Sequence, residues 1–284
     1  MTKYFYRTID DLNTLIKENL ARLQSYNFDL IVGLPRRGMI PATLIGLFLN
    51  KPVVSFNELN ANLASEKIGY RLQESSARFP KSYQNILLVD DSTDEGTVFA
   101  QALQKLDNQT AEKVTTLSVY ATNKGGKLVD LHLETLEEPK LYEWNILHKK
   151  AVLADAAIRF EGIIATNALT GDWIPITLPS YPVKVIYTNW IEKYRPQIES
   201  FLTDNGVVYQ KLEMGVVSAL QLKQIVNNEK ISLVYENDPF ITRDLVDTVA
   251  VYNVAGNFLD NANKNALEYD SSDDEDQSGR DIGD

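Results

Sequence analysis

Two charged pairs in this chain have types and spacing that suit phosphate and sugar chemistry. Asp90 and Asp91 are adjacent carboxylates that close the apolar run NILLVDD (Asn85 to Asp91), and a small polar stretch, Ser92 to Thr97, follows them. Adjacent carboxylates at the end of a buried strand can accept hydrogen bonds from a vicinal diol or face a magnesium-bound polyphosphate. A short polar loop ahead of a helix can present backbone N–H groups to a phosphate. Arg36 and Arg37, in Pro35-Arg36-Arg37-Gly38, also follow an apolar run. Their guanidinium groups suit a second, more highly charged phosphate group. The plainer reading of the acidic pair is an acidic N-cap at a strand–helix junction.

The elements that must position these residues follow from periodicity. Ile9, Leu12, Leu15, Ile16, Leu20 and Leu23 recur at helical spacing and predict an opening helix. Phe28 to Leu34 is a short continuous apolar run, as expected of a strand covered on both faces. A helix is expected to begin around Pro41 and a second strand to span Val53 to Phe56. Residues 57 to 81 are polar and weakly periodic, which predicts a mobile flap. Asn85 to Asp91 is the clearest buried strand, with a helix from about Val98 to Leu106, a strand from Val114 to Tyr120 and a turn at Lys124-Gly125-Gly126. A second cycle predicts strands at Ala157 to Ala165, Val183 to Tyr187, Ile231 to Tyr235 and Thr248 to Val254. Helices are expected at Pro196 to Asn205 and Leu220 to Asn227, with Val207 to Leu212 extended. Strands alternating with helices imply parallel sheets with crossover helices, in an α/β protein of two domains.

The stretch ILLVDDSTDEGTV resembles the phosphoribosyl pyrophosphate motif of type I phosphoribosyltransferases, two acidic residues followed by a loop ending in Thr-Gly-x-Thr. IVGLPRRGMIPA resembles the pyrophosphate loop of that family, and the intervening segment fits its flexible hood. The resemblance covers about residues 1 to 140, with both motifs in the expected order. It implies that Asp90 and Asp91 contact ribose hydroxyls. It further implies that Ser92, Thr93, Asp94, Gly96 and Thr97 line a 5-phosphate pocket, and that Arg36, Arg37 and Gly38 face pyrophosphate. Asp90, Asp91 and Asp94 would then be the catalytic carboxylates, with Gly69-Tyr70-Arg71 closing over the substrate. Magnesium would be carried by phosphoribosyl pyrophosphate, with no direct protein ligands. Two departures stand out: Glu95 where the family has threonine, and Val98 in place of the second threonine. A carboxylate beside a phosphate dianion repels it, unless Glu95 turns outward.

The second half resembles, more faintly, a haloacid-dehalogenase-like domain, expected to follow a Trp-Asn segment like Trp144-Asn145. The stretch matching its first motif holds Arg159 at the nucleophile position, with Glu161 two residues on. Arginine cannot attack phosphorus. Thr188 matches the second-motif threonine, Lys223 the third-motif lysine, and Glu236 with Asp238 the acidic fourth motif. Arg159 could bind an anion or simply pair with Glu161 or Asp238. A degenerate, non-catalytic second domain is expected. The implied organisation is a phosphoribosyltransferase-like domain over 1–140, a smaller degenerate domain over 141–267 and an acidic tail over 268–284.

Composition bounds the rest. Hydrophobic residues make up 44% of the 284 and charged residues 24%, the balance of a soluble globular protein. No cysteine is present, which excludes disulfides, thiolate zinc sites and a cysteine nucleophile. His132 and His148 stand in different contexts and do not make a metal site. The start of the chain lacks a secretory pattern and no apolar run is long enough for a membrane helix, so a cytoplasmic protein is expected. Of the formal net charge of −11, eight acidic residues against Arg280 place −7 from Glu268 onward, leaving −4 for the rest. The tail reads as disordered, either solubilising or a handle for a basic partner or a nucleic-acid mimic. The mildly acidic body argues against nucleic acid as a ligand. A sugar phosphate or nucleotide is the expected small-molecule partner, and a homodimer is a common expectation of the resemblance. Two functions remain open: transfer of ribose 5-phosphate to a nucleobase, or a pseudoenzyme acting as scaffold or ligand sensor.

Overall fold

The computed structural model describes residues 4–61, 83–167, 172–253 and 257–259. The chain divides into two compact units, one over Phe5–Trp144 and one from Asn145 onward that includes Tyr4. Of the flap predicted over residues 57 to 81, residues 57–60 instead lie in a helix, Phe56–Asn60, and residues 62–81, including Gly69, Tyr70 and Arg71, lie outside the described residues, as does the acidic tail.

The first unit runs β1 (Phe5–Arg7), α1 (Ile9–Glu18), α2 (Leu20–Gln24), β2 (Leu30–Gly33), α3 (Met39–Leu49), β3 (Val53–Ser55) and α4 (Phe56–Asn60). It continues with β4 (Ile86–Thr93), α5 (Thr97–Lys105), α6 (Asn108–Ala111), β5 (Val114–Ala121), β6 (Leu131–Thr135) and β7 (Lys140–Tyr142). Five strands form a parallel sheet in the order β3-β2-β4-β5-β6, and β7 pairs with β1 alone. Strand alternation divides the core. Leu87 and Val89 of β4 pack with Leu12, Ile16, Ala42 and Ile45 of α1 and α3. Ile86 and Leu88 pack on the other face with Phe56, Phe99 and Ala102 of α4 and α5.

The second unit runs α7 (Lys150–Leu153), β8 (Ala156–Arg159), β9 (Ala165–Asn167), β10 (Trp173–Pro175), β11 (Val183–Tyr187) and α8 (Arg195–Asp204). It continues with β12 (Tyr209–Glu213), α9 (Ala219–Glu229), β13 (Leu233–Glu236), α10 (Pro239–Leu245), β14 (Ala250–Asn253) and β15 (Asn257–Leu259). Its sheet has the order β12-β11-β8-β13-β14-β15, parallel except for the last strand, and β9 and β10 form a separate antiparallel pair. The α/β class with two parallel sheets is therefore as the alternation implies.

Several boundaries differ from the periodicity. The opening helix breaks at Asn19, whose side chain donates to the Leu15 carbonyl at 2.9 Å, so α1 and α2 are separate. The helix after Gly38 starts at Met39, two residues ahead of Pro41. The strand expected over Ala157 to Ala165 ends at Arg159. There Gly162 (φ 79) turns the chain and donates its N–H to the Ala165 carbonyl at 2.7 Å, a positive φ that glycine adopts without penalty. The β4 strand runs two residues past Asp91, pairing Ser92 with Tyr120 and Thr93 with Ala121.

Candidate ligand site at the carboxyl edge of the first sheet

In the first sheet the chain crosses from β2 to β3 on one side and continues from β4 to β5 on the other, so the carboxyl ends of β2 and β4 flank a topological switch point. Open α/β sheets bind ligands in the crevice at that point. The turn Pro35 to Gly38 leaves β2, and the residues from Asp90 onward leave β4, so both sequence motifs meet there. The Leu34 N–H donates to the Val89 carbonyl at 2.9 Å, laying the turn against β4. A Cβ at Gly38 would stand 2.3 Å from the Val89 oxygen and 2.8 Å from the Leu34 nitrogen, so glycine is required for that approach. Arg36 adopts φ 39, the left-handed region that a non-glycine residue enters only at a cost of about 1–3 kcal/mol. Arg36 and Arg37 are exposed, and their side chains make no hydrogen bond or ion pair among the described residues.

The acidic pair is not exposed. Asp90 is 6% accessible and Asp91 0%, and alternation along β4 places them on opposite faces of the sheet. Asp90 accepts a hydrogen bond from the Asp91 N–H at 2.9 Å. The Oδ2 of Asp91 accepts one from the Trp144 indole at 2.9 Å. Its Oδ1 is buried without a hydrogen-bond partner of ordinary geometry. Trp144 stacks on Tyr142 at 4.9 Å, and Tyr142 on Tyr120 at 5.1 Å, which fixes the indole over the carboxylate. Burial, reinforced by the charge of Asp91, pushes the Asp90 carboxyl up to about 7, since both disfavour the ionised form. Burial likewise raises Asp91, opposed by the Arg37 guanidinium and the indole N–H.

The expected loop Ser92 to Thr97 is shorter than its sequence suggested, because Ser92 and Thr93 belong to β4. Thr93 Oγ1 accepts the Gly96 N–H at 3.0 Å, and Gly96 (φ 65) turns the chain into α5. The first-turn N–H groups of Thr97, Val98 and Phe99 have no partner among the described residues, as helix starts leave them. Glu95 turns outward: its side chain is 69% exposed and pairs with Lys124 at 3.0 Å. Val98 is also exposed, at 51%. Asp94 pairs with the Nζ of Lys140, whose side chain is 2% exposed. Sequence reasoning left Lys140 without a role and noted Trp144 only as part of the segment ahead of the second half. Their one local signal is a lysine leading the apolar pair Leu141–Tyr142, a buried position where a lysine needs a carboxylate.

The second unit repeats the topology: β8 connects outward to β11 and β12 on one side, with β13 and β14 on the other. Its switch point lies between β8 and β13, and Arg159 and Glu236 end those two strands. They pair with each other, Nη1 to Oε1 at 2.6 Å, and Arg159 Nε also reaches Glu161 at 3.2 Å. Glu236, fully buried, further accepts the N–H groups of Asn237 (2.8 Å) and Asp238 (2.9 Å) and the hydroxyl of Tyr187 (3.0 Å). Glu161 accepts the Thr188 hydroxyl at 2.7 Å and the Asn189 N–H at 2.9 Å. Arg159, Glu161, Thr188 and Glu236 thus form one network. Asp238 is not a partner of Arg159: its carboxylate caps α10, accepting from Phe240 and Ile241. Among the described residues no hydrogen bond or ion pair joins Lys223, half-buried on α9, to the network. Among the described residues, too, no group of three or more His, Asp or Glu side chains is placed to hold a metal ion.

No family model and no curated protein matches this chain. Among solved structures it is similar to a purine phosphoribosyltransferase from Pyrococcus horikoshii, with 17% identity over 50% of this chain and 94% of that one, at a TM-score of 0.37. It is also similar to the xanthine-guanine-hypoxanthine phosphoribosyltransferase of Helicobacter pylori, with 15% identity, 51% and 95% coverage and a TM-score of 0.38. An orotate phosphoribosyltransferase from Aeropyrum pernix shows 20% identity, 44% and 68% coverage and a TM-score of 0.30.

Proposed function

We propose that the first unit binds a ribose 5-phosphate compound, phosphoribosyl pyrophosphate before others, at the carboxyl edge of its sheet. One observation carries this reading. Each carboxylate of the segment 90–95 is buried or paired with a lysine, while Arg36 and Arg37 on the facing turn have no ion-pair partner among the described residues. An edge so arranged attracts anions. The unpaired N–H groups of Thr97, Val98 and Phe99 would take the 5-phosphate, and the two guanidinium groups the pyrophosphate. The outward turn of Glu95 removes the repulsion that its sequence position implied.

Magnesium fits this edge only as a companion of the ligand. The carboxylates of the segment 90–95 are buried or lysine-paired, so the ion would be held by pyrophosphate oxygens, whose charge it would neutralise. The chain's own share is to bind, orient and exclude water.

Binding without transfer is the second reading. It is favoured because Asp91 is buried and engaged by Trp144 and Asp94 is paired with Lys140, so neither is presented to an acceptor base as an exposed, unengaged carboxylate. The second unit supports a parallel reading, a haloacid-dehalogenase-like domain without catalysis, because the Arg159–Glu236 pair fills its switch point. The test is calorimetric titration with phosphoribosyl pyrophosphate and magnesium, followed by a nucleobase screen for pyrophosphate release. Micromolar binding is expected. Absence of binding at millimolar ligand would remove the proposal, and release of pyrophosphate with any base would replace binding alone by transfer.

A further inference from the structure

We infer that Lys140 is a positioning residue for the phosphate subsite, keeping the start of α5 open to an anion by neutralising Asp94. This rests on the ligand reading above and extends it to a residue outside both sequence motifs. Asp94 lies three residues before Thr97, next to the three unpaired N–H groups, and is half-exposed toward solvent. An unpaired carboxylate there would compete with an incoming phosphate for those donors and repel it. Lys140 reaches Asp94 from β7, which belongs to the small β1–β7 pair and not to the five-stranded sheet. Its ammonium is nearly sealed from solvent and also lies 3.8 Å from Glu138.

Burial separates this pair from the Lys124–Glu95 contact beside it. Both members of that contact are mostly exposed, where an ion pair is worth little and salt screens it. At Asp94 the cation is desolvated and held by its strand, so the neutralisation persists in salt. The same segment carries Trp144, which engages Asp91, so residues 140–144 set the charge presented by two of the four acids in 90–95.

The experiment is a double-mutant cycle on the full chain, with ribose 5-phosphate as the titrant, at low and at physiological salt. Lys140→Met should weaken binding about tenfold or more, equivalent to losing one charge-assisted hydrogen bond. Asp94→Asn alone should bind at least as well as the parent. The double variant Lys140→Met/Asp94→Asn should return to within about threefold of the parent, because the charge that needed neutralising is gone. A double variant as weak as Lys140→Met would overturn the inference, since Lys140 would then touch the ligand or merely hold the fold. If Lys140→Met does not fold, Asp94→Asn decides: weaker binding than the parent overturns the proposal, and equal or tighter binding supports it. A parent that does not bind ribose 5-phosphate at all removes the ligand reading itself, an outcome distinct from a parent that binds while the double variant fails to recover.

Discussion

The indole N–H of Trp144 donates to Oδ2 of Asp91 across 2.9 Å and joins two points 53 residues apart in the chain. The bond favours the charged form of a carboxylate that burial pushes toward protonation, because a donor aimed at an ionised oxygen stabilises the charge. Trp144→Phe keeps an aromatic ring on Tyr142 and removes only the donor. The variant should lose about 1.5–3 kcal/mol at pH 8, the worth of a hydrogen bond to a charged group. At pH 5 the loss should be smaller, because burial raises the Asp91 carboxyl and falling pH shifts it toward the neutral form, for which the donor matters less. Urea unfolding at the two pH values measures this, and an equal loss at both would mean that the indole acts by packing alone.

Asp90 makes the opposite prediction about sign. Its folded-state value of about 7 lies above the ordinary value of 3.8, so between those two pH values the folded chain holds more protons than the unfolded one. Stability therefore falls as pH rises from about 4 to 7, and the full cost stands above 7. Asp90→Asn removes the titration while keeping an oxygen to accept the Asp91 N–H. It should be more stable than the parent at pH 8, by a few kcal/mol with about 4 as the ceiling, and indistinguishable from it at pH 4. Thermal melts across pH 4 to 8 check this. A parent curve that rises over that range, with no gain from the substitution, would contradict it.

The sequence carried the parts of the fold that depend on local pattern. The runs Phe28 to Leu34 and Asn85 to Asp91 became β2 and β4 because strands covered on both faces must be apolar throughout. The meeting of Arg36–Arg37 with Asp90–Asp91 was legible only through the two motifs, since spacing alone does not reveal that β2 and β4 are neighbours. The length of β4 was not legible. Ser92 and Thr93 read as loop residues, and it is pairing with Tyr120 and Ala121 of a distant strand that holds them extended. The contacts of Lys140 and Trp144 with the acidic segment were not legible for the same reason: their partners lie 46 and 53 residues away. Glu95 read as an obstacle to phosphate because nothing local shows that Lys124 draws it outward.

Gly38 tests whether the arginine turn needs its close approach to β4. A methyl group there would meet the Val89 carbonyl and the Leu34 nitrogen, both backbone atoms with little freedom to retreat. Gly38→Ala should cost about 1–3 kcal/mol by forcing the turn off the strand. It should also weaken phosphoribosyl pyrophosphate binding more than it lowers stability, since Arg36 and Arg37 move with the turn. Equilibrium unfolding and calorimetry on the same preparation separate the two effects. Parent-like affinity in a destabilised variant would show that the position of the turn does not govern binding.

In the second unit the prediction concerns a buried pair in place of a ligand. Glu236 is fully buried and Arg159 is the cation that balances it at 2.6 Å, with two backbone N–H groups and the Tyr187 hydroxyl completing its shell. Removing one member of such a pair strands the other, which costs more than the pair contributes. Arg159→Met should therefore lose about 3–5 kcal/mol at pH 7. Adding Glu236→Gln should recover most of it at pH 7, because the neutral amide oxygen still accepts the same N–H groups. The double-mutant cycle by urea unfolding isolates the coupling. A double variant as unstable as the sum of its parts would mean that the two charges are independently solvated, and that the switch point of the second sheet is open to a ligand after all.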